Sequence, residues 1–244
     1  MEPRTGPSPS AVRRTLIATI AALGVAALVH VVRYILLIVN RTVLLNPVVA
    51  WAVTWLGVVV SVAALLLVFA SAVLMMNWLI ARRAAAFKHV GRQEHRRLWA
   101  LRAGCLVPFV NLAWAPVYVL ELAHVEDNVA RLRRPITVWW VMWVLSTAVS
   151  VFSIATSFTT DAQGIADNQV ATIIAYLIAM ATAVLLLRVL LGFESRPVER
   201  PARRWVIVAD ETAADDQPQP EDADAESDDE SGVAVESEGE NPAA

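Results

Sequence analysis

The sequence has one cysteine, Cys105, one lysine, Lys88, and only 9 glycines in 244 residues. A lone thiol cannot close an internal disulfide, and no CxxC pair is present to hold zinc. No glycine-rich phosphate-binding pattern occurs either. Basic residues are missing from position 210 onward, where 14 acidic residues stand without a Lys or Arg. The formal net charge of -3 therefore conceals a split, because residues 1–209 hold all 20 basic residues against 9 acidic ones. What is abundant is apolar. The chain is 57% hydrophobic with 9 Trp, above the roughly 45–50% of a soluble domain. That excess, gathered in runs, excludes an ordinary soluble enzyme, a disulfide scaffold and a nucleic-acid-binding domain.

About 20 apolar residues span a bilayer, and four stretches qualify, at about residues 15–39, 48–80, 138–158 and 170–191. Residues 1–14 read as a polar lead-in, with three prolines and then Arg13 and Arg14. The apolar run behind the paired arginines is too long for a cleaved signal, whose apolar region covers about 7–15 residues. Short connections at 40–47 and 159–169 carry turn residues, so each joins two antiparallel helices. Seventeen of the 20 basic residues fall on flanks that an even number of crossings places on one side, against Arg41 alone on the other. Cytoplasmic loops carry the positive excess. Both termini are thus expected in the cytoplasm and the protein in the plasma membrane.

Residues 98–124 are apolar yet flanked by cations on both sides. Pro108 and Pro116 each remove a helical donor and clash with the turn before, and Gly104 weakens the helix start. The segment is expected to be re-entrant or interfacial, entering and leaving on the cytoplasmic side, with a fifth span as the alternative. The run Val107-Pro108-Phe109-Val110-Asn111-Leu112, followed by Trp114, Pro116 and a helix bearing Glu121, resembles a family of uncharacterised actinobacterial membrane proteins. That family is defined only by a domain of unknown function. The resemblance covers roughly residues 50–195, with Trp139, Trp140 and Trp143 in its Trp-rich span. It implies a layout of two helix pairs around the motif and no activity.

Ionisable groups at membrane depth are costly, about 2.5–3.5 kcal/mol on insertion scales, so they are candidates by default. His30 and Arg33 lie in the first span, with Asp161 and Asp167 of the far loop as expected partners of Arg33. Arg188 lies near the inner end of the fourth, where Glu194 or Glu121 would neutralise it. Both arginines also have the option of snorkelling to an interface. Ser146, Ser150, Ser153 and Ser157 share one face of the third span, as a polar wall or as hydroxyls bonded to helix carbonyls. Ala18, Ala22 and Ala26 in the first span, and Ala171, Ala175, Ala179 and Ala183 in the fourth, are spaced for close helix approach. The first and fourth spans are expected to pack through them.

The basic stretch 82–102 interleaves cations with Phe87, Val90, Leu98 and Trp99, as a surface helix drawn to anionic lipid headgroups would. His89, His95 and His124 show no metal-ligand spacing with Cys105, so no metal and no cofactor is expected. Residues 196–209 form a basic juxtamembrane segment, and residues 210–244 are too charged to fold alone. The expectation is an all-α integral membrane four-helix bundle with a short broken segment at Pro108–Pro116 and a disordered acidic tail. Its function is expected to be that of a non-enzymatic adaptor or scaffold, with a cytoplasmic protein partner at the tail. The alternative is a small-solute transporter or channel with Asn111, Pro116, Glu121 and His30 at its site. Nucleic acid is not an expected partner, and a homo-oligomer stays open.

Overall fold

In a computed structural model of the chain the described residues are 6–44, 46–91, 97–107 and 109–195. The chain divides into the units Met1–Ala202 and Arg203–Ala244, and all the described residues lie in the first. Pro108, His95, the basic segment from residue 196 and the acidic tail lie outside the described residues.

The described chain is all-helical: α1 (Pro9–Val39), α2 (Pro47–His89), α3 (Leu98–Leu106), α4 (Val110–Val125), α5 (Val129–Thr156) and α6 (Ala162–Glu194). Three of the starts are built from local chemistry. Ser8 accepts from the Ala11 amide with Pro9 behind it, and Asn46 accepts from the Val48 amide ahead of Pro47. Asp161 accepts from the Gly164 amide at 2.8 Å. Each cap satisfies a backbone donor that the helix itself leaves orphaned, and a proline at the first position loses nothing.

Four helices, α1, α2, α5 and α6, are long and apolar enough to cross a membrane. Their ends overshoot the apolar runs. α1 opens at Pro9, so residues 9–14 are helical and not lead-in; α5 opens at Val129 and α6 at Ala162. The reason is that apolar counting finds only the part of a helix in hydrocarbon, whereas a helix continues wherever its outer turns find packing. α2 is the extreme case: its 43 residues extend about 65 Å at 1.5 Å each, against a hydrocarbon core of about 30 Å. Arg82, Arg83 and Lys88 consequently belong to the last turns of α2. The stretch 82–102 is not one surface helix.

Helices α1, α5 begin and α2, α6 finish at the same end of the bundle, which also holds most of the arginines; we call it the basic end. α1 packs between α2 and α6, and α6 packs on α5. The row α2–α1–α6–α5 does not close, since α2 and α5 are not packing neighbours, and α4 bridges them at the basic end. The main core lies at that end too, where Leu16, Trp78, Leu122, Ile136 and Phe193 are buried together. A second small core at mid-bundle joins Leu23, Ala26 and Ala64 with Ala22, Tyr176, Ala179 and Ala183.

α1 and α6 thus pack antiparallel along much of both alanine series. Ala26 is 0% exposed, whereas Ala18 is exposed and stands off the contact. Replacing Ala26 with Leu should overpack this seam and cost about 1–3 kcal/mol. Ala18→Leu should stay within about 0.5 kcal/mol of the parent. Thermal unfolding of the two purified variants checks this, and equal losses would contradict the packing.

Candidate functional site

The neighbouring Arg82 and Arg83 point about 100° apart around α2 and so meet different helices. Arg82 donates through Nε and Nη2 to the two carboxylate oxygens of Glu126, at 2.7 and 3.0 Å, and through Nη2 to the Phe193 carbonyl at 2.9 Å. Its guanidinium lies over the Trp78 and Phe193 rings, 5.4 and 5.5 Å from their centroids. Arg83 is 1% exposed. It donates to the Tyr118 carbonyl at 2.8 Å and to Glu121 Oε2 at 2.9 Å, with the Phe87 and Tyr118 rings beside it. A planar fork matched to a carboxylate and stacked on aromatics is work that lysine cannot do. Glu121 therefore serves Arg83 and not Arg188. Arg188 is exposed and forms no hydrogen bond or ion pair among the described residues.

Among the described residues of the middle segment, α3 ends at Leu106 and α4 starts at Val110, with Phe109 at a left-handed φ of 66°. Pro116 does not break α4; it lies inside the helix and is buried. Lacking an amide proton, it leaves the Leu112 carbonyl, four residues back, without its helical partner. The indole Nε1 of Trp140 fills that place at 2.7 Å. The same bond sets Leu112 level with Trp140, near where the apolar run of α5 opens, and the rest of α4 runs back beside α5's first turns. Gly104 lets α3 meet α4: a Cβ there would stand 2.6 Å from the Tyr118 hydroxyl.

Toward the other end, His30 joins three helices. Gln169 Nε2 donates to the His30 carbonyl at 3.2 Å and lies 2.7 Å from His30 Nδ1. A carbonyl can only accept, so the amide nitrogen faces the ring, and Nδ1 is the acceptor. Nε2 then carries the proton and donates to the Ser61 hydroxyl at 3.1 Å. Tyr176 stacks on the ring with centroids 5.2 Å apart. His30 is thereby saturated by neutral partners, as a packing group is. Arg33, a turn away, is half-buried and forms no ion pair among the described residues. Its expected partners are used locally, Asp161 as the α6 cap and Asp167 as acceptor for Gln163 at 2.9 Å.

Between the unpaired helices α2 and α5 lies a cleft of about 250 Å³, with the start of α4 as its floor. Met75, Trp139, Trp143 and Leu186 give it apolar walls, and Thr19, Ser71, Ser146 and Thr182 contribute one hydroxyl from each spanning helix. Thr19 bonds Ser71 at 2.7 Å and the Thr15 carbonyl at 2.9 Å, and Thr182 bonds the Ile178 carbonyl at 2.9 Å. Asn111 is at the cleft, whereas His30, Arg33, Pro116, Glu121 and Arg188 are not among its lining residues. The serine face divides: Ser146 lines the cleft, Ser153 bonds Thr172 at 2.8 Å, and Ser157 bonds its own helix.

The residues that sequence reasoning missed are Arg82, Arg83, Tyr118 and Glu126. Charge counting reads each arginine as an outward flank, and nothing in the run Ala-Arg-Arg-Ala-Ala-Ala tells which side chain turns in. The one signal was scarcity: Glu121, Glu126 and Asp127 are the only acidic residues between 98 and 160. Burial pushes the Cys105 thiol up to about 11, with the Arg83 guanidinium opposing. Alkylation at pH 7.5 should run about two orders of magnitude slower than for a free thiol of pKa about 8.5. Its rate should climb tenfold per pH unit to about pH 11, as followed by mass spectrometry. A plateau near pH 9 would contradict the burial.

No curated protein and no solved structure matches the chain. A family model does match, over residues 41–195, which takes in everything from the α1–α2 turn to the end of α6. With two antiparallel helix pairs and the broken motif between them, the chain belongs to the family described as a domain of unknown function (DUF4328).

Proposed function

We propose that this membrane protein is a non-enzymatic adaptor or scaffold of the plasma membrane, with both termini in the cytoplasm. It presents a basic inner face and an acidic tail to cytoplasmic partners. The observation that carries this reading is the distribution of charge at the basic end. Arg13, Arg14, Arg97, Arg102, Arg131, Arg133 and Arg134 are all exposed there, and Arg41 is the one exposed arginine at the far end among the described residues. Retention of cations in the cytoplasm orients such a bundle, and about 1 kcal/mol per cation attracts it to anionic headgroups. The buried cations Arg82 and Arg83 are spent on structure and converge on no cavity. The tail, with its 14 acidic residues, supplies a face of opposite sign for basic partners.

A second reading rests on the cleft. A transporter would need a path, and the 250 Å³ space beside the broken motif is the place for one. No charged side chain is among the lining residues, so such a path would suit an uncharged solute and not an ion.

A reporter fused after Ala244 should be active only in the cytoplasmic form, and activity only in the exported form would refute the orientation. Deleting residues 205–244 should leave insertion unchanged while removing proteins captured by the full chain from native membranes. An unchanged capture would refute the tail's role.

A further inference from the structure

We propose that the cleft between α2 and α5 holds one anionic phospholipid of the cytoplasmic leaflet. One acyl chain lies in the cleft, its ester meets Asn111, and its phosphate meets the arginines of α3 and α5. The leaflet rests on the orientation argued above; the cleft itself does not.

Four observations select this occupant. The cleft lies among four helices of membrane-spanning length, so the molecule at hand is hydrocarbon. Its walls are mostly apolar, and three of their four hydroxyls, on Thr19, Ser71 and Thr182, already bond within the bundle, which leaves the Ser146 hydroxyl as the one without a hydrogen bond among the described residues. At roughly 30 Å³ for a water-sized group, the 250 Å³ accommodates a run of about eight methylenes. Its rim is reachable, since the lining residues Val68 and Ala72 are exposed and Asn111 is half-buried.

Asn111 supplies the polar end. Its carboxamide makes no hydrogen bond among the described residues, although it stands one residue from the Leu112–Trp140 bond that marks the inner end of α5's apolar run. The carboxamide is open at the rim of the cleft, and an ester carbonyl is the acceptor a lipid carries at that level. The charge follows on the same side. Arg102 is exposed one helical turn before the lining residue Cys105, and Arg133 and Arg134 are exposed on α5 below the lining residue Trp139. None of the three forms an ion pair among the described residues. Hydrocarbon, then a donor, then cations is the order in which a phospholipid presents chain, ester and phosphate.

The test is native mass spectrometry of the purified full chain, incubated with phosphatidylglycerol and phosphatidylcholine of identical acyl chains. One phosphatidylglycerol per protein should be retained in preference to phosphatidylcholine. Ala72→Phe, from an exposed wall position, should fill the cleft and abolish retention of both lipids. Ser146→Leu should do the same from the opposite wall, and it decides the matter if the first variant fails to fold by circular dichroism. Arg102→Gln and Arg134→Gln should each lower the preference for phosphatidylglycerol over phosphatidylcholine about fivefold, because the net negative charge of the former is what the lost cation attracts. Retention unaffected by filling the cleft would overturn the proposal, as would equal retention of the two lipids by the parent. An outward-facing carboxyl terminus would overturn only the leaflet, because the retained lipid is measured without reference to orientation.

Discussion

A guanidinium taken out of water must find a carboxylate and acceptors or unfold what buried it. Arg83 is that group here, and the arrangement of the basic end follows from it. Its partners, Glu121 and the Tyr118 carbonyl, both lie on α4, so the last turns of α2 and the body of α4 are held together. Arg82 extends the clamp to Glu126 and to the end of α6 through Phe193. α4 is thereby fixed beneath the gap that α2 and α5 leave open, and the gap acquires a floor. The apolar face of α4, with Tyr118, Val119, Leu122 and Ala123, packs into the main core beside α5, and the clamp ties that helix to α2.

The proline shows the same logic at backbone scale. Pro116 was expected to break the segment, and by its own chemistry it should weaken it. Instead α4 runs unbroken from Val110 to Val125, because Trp140 supplies the hydrogen bond that Pro116 removes. A residue that is disruptive in isolation is accommodated by a side chain 28 positions from the carbonyl it leaves unbonded. No reading of the local sequence contains that information.

What was legible divides along this line. Four apolar stretches, short turns between them and the lopsided arginines are properties of segments, so the spans and the family were readable from composition and one motif. The α1–α6 contact was readable because small residues recurring every four positions, among them Ala22, Ala26, Ala179 and Ala183, have a direct steric meaning. Pairings were not. Asp161 and Asp167 are at the right end of the bundle to suit Arg33, yet both satisfy their own helix, as the α6 cap and as an i+4 acceptor for Gln163. Glu121 suited Arg188 by depth and went to Arg83 because α2 continues past its apolar run. The family match begins at residue 41 and so omits α1, although α1 packs between α2 and α6 and supplies Thr19 to the cleft and His30 to the far cluster.

The clamp is tested most directly by a double-mutant cycle on Arg83→Met and Glu121→Gln, read as unfolding free energy in a membrane mimic. Glu121→Gln alone strands a buried cation and should cost about 3–5 kcal/mol. The double variant, which removes that cation and fills its volume with an apolar chain, should recover a substantial part of the loss. Losses that simply add, or a Glu121→Gln protein as stable as the parent, would contradict the claim that this pair holds α4 in place.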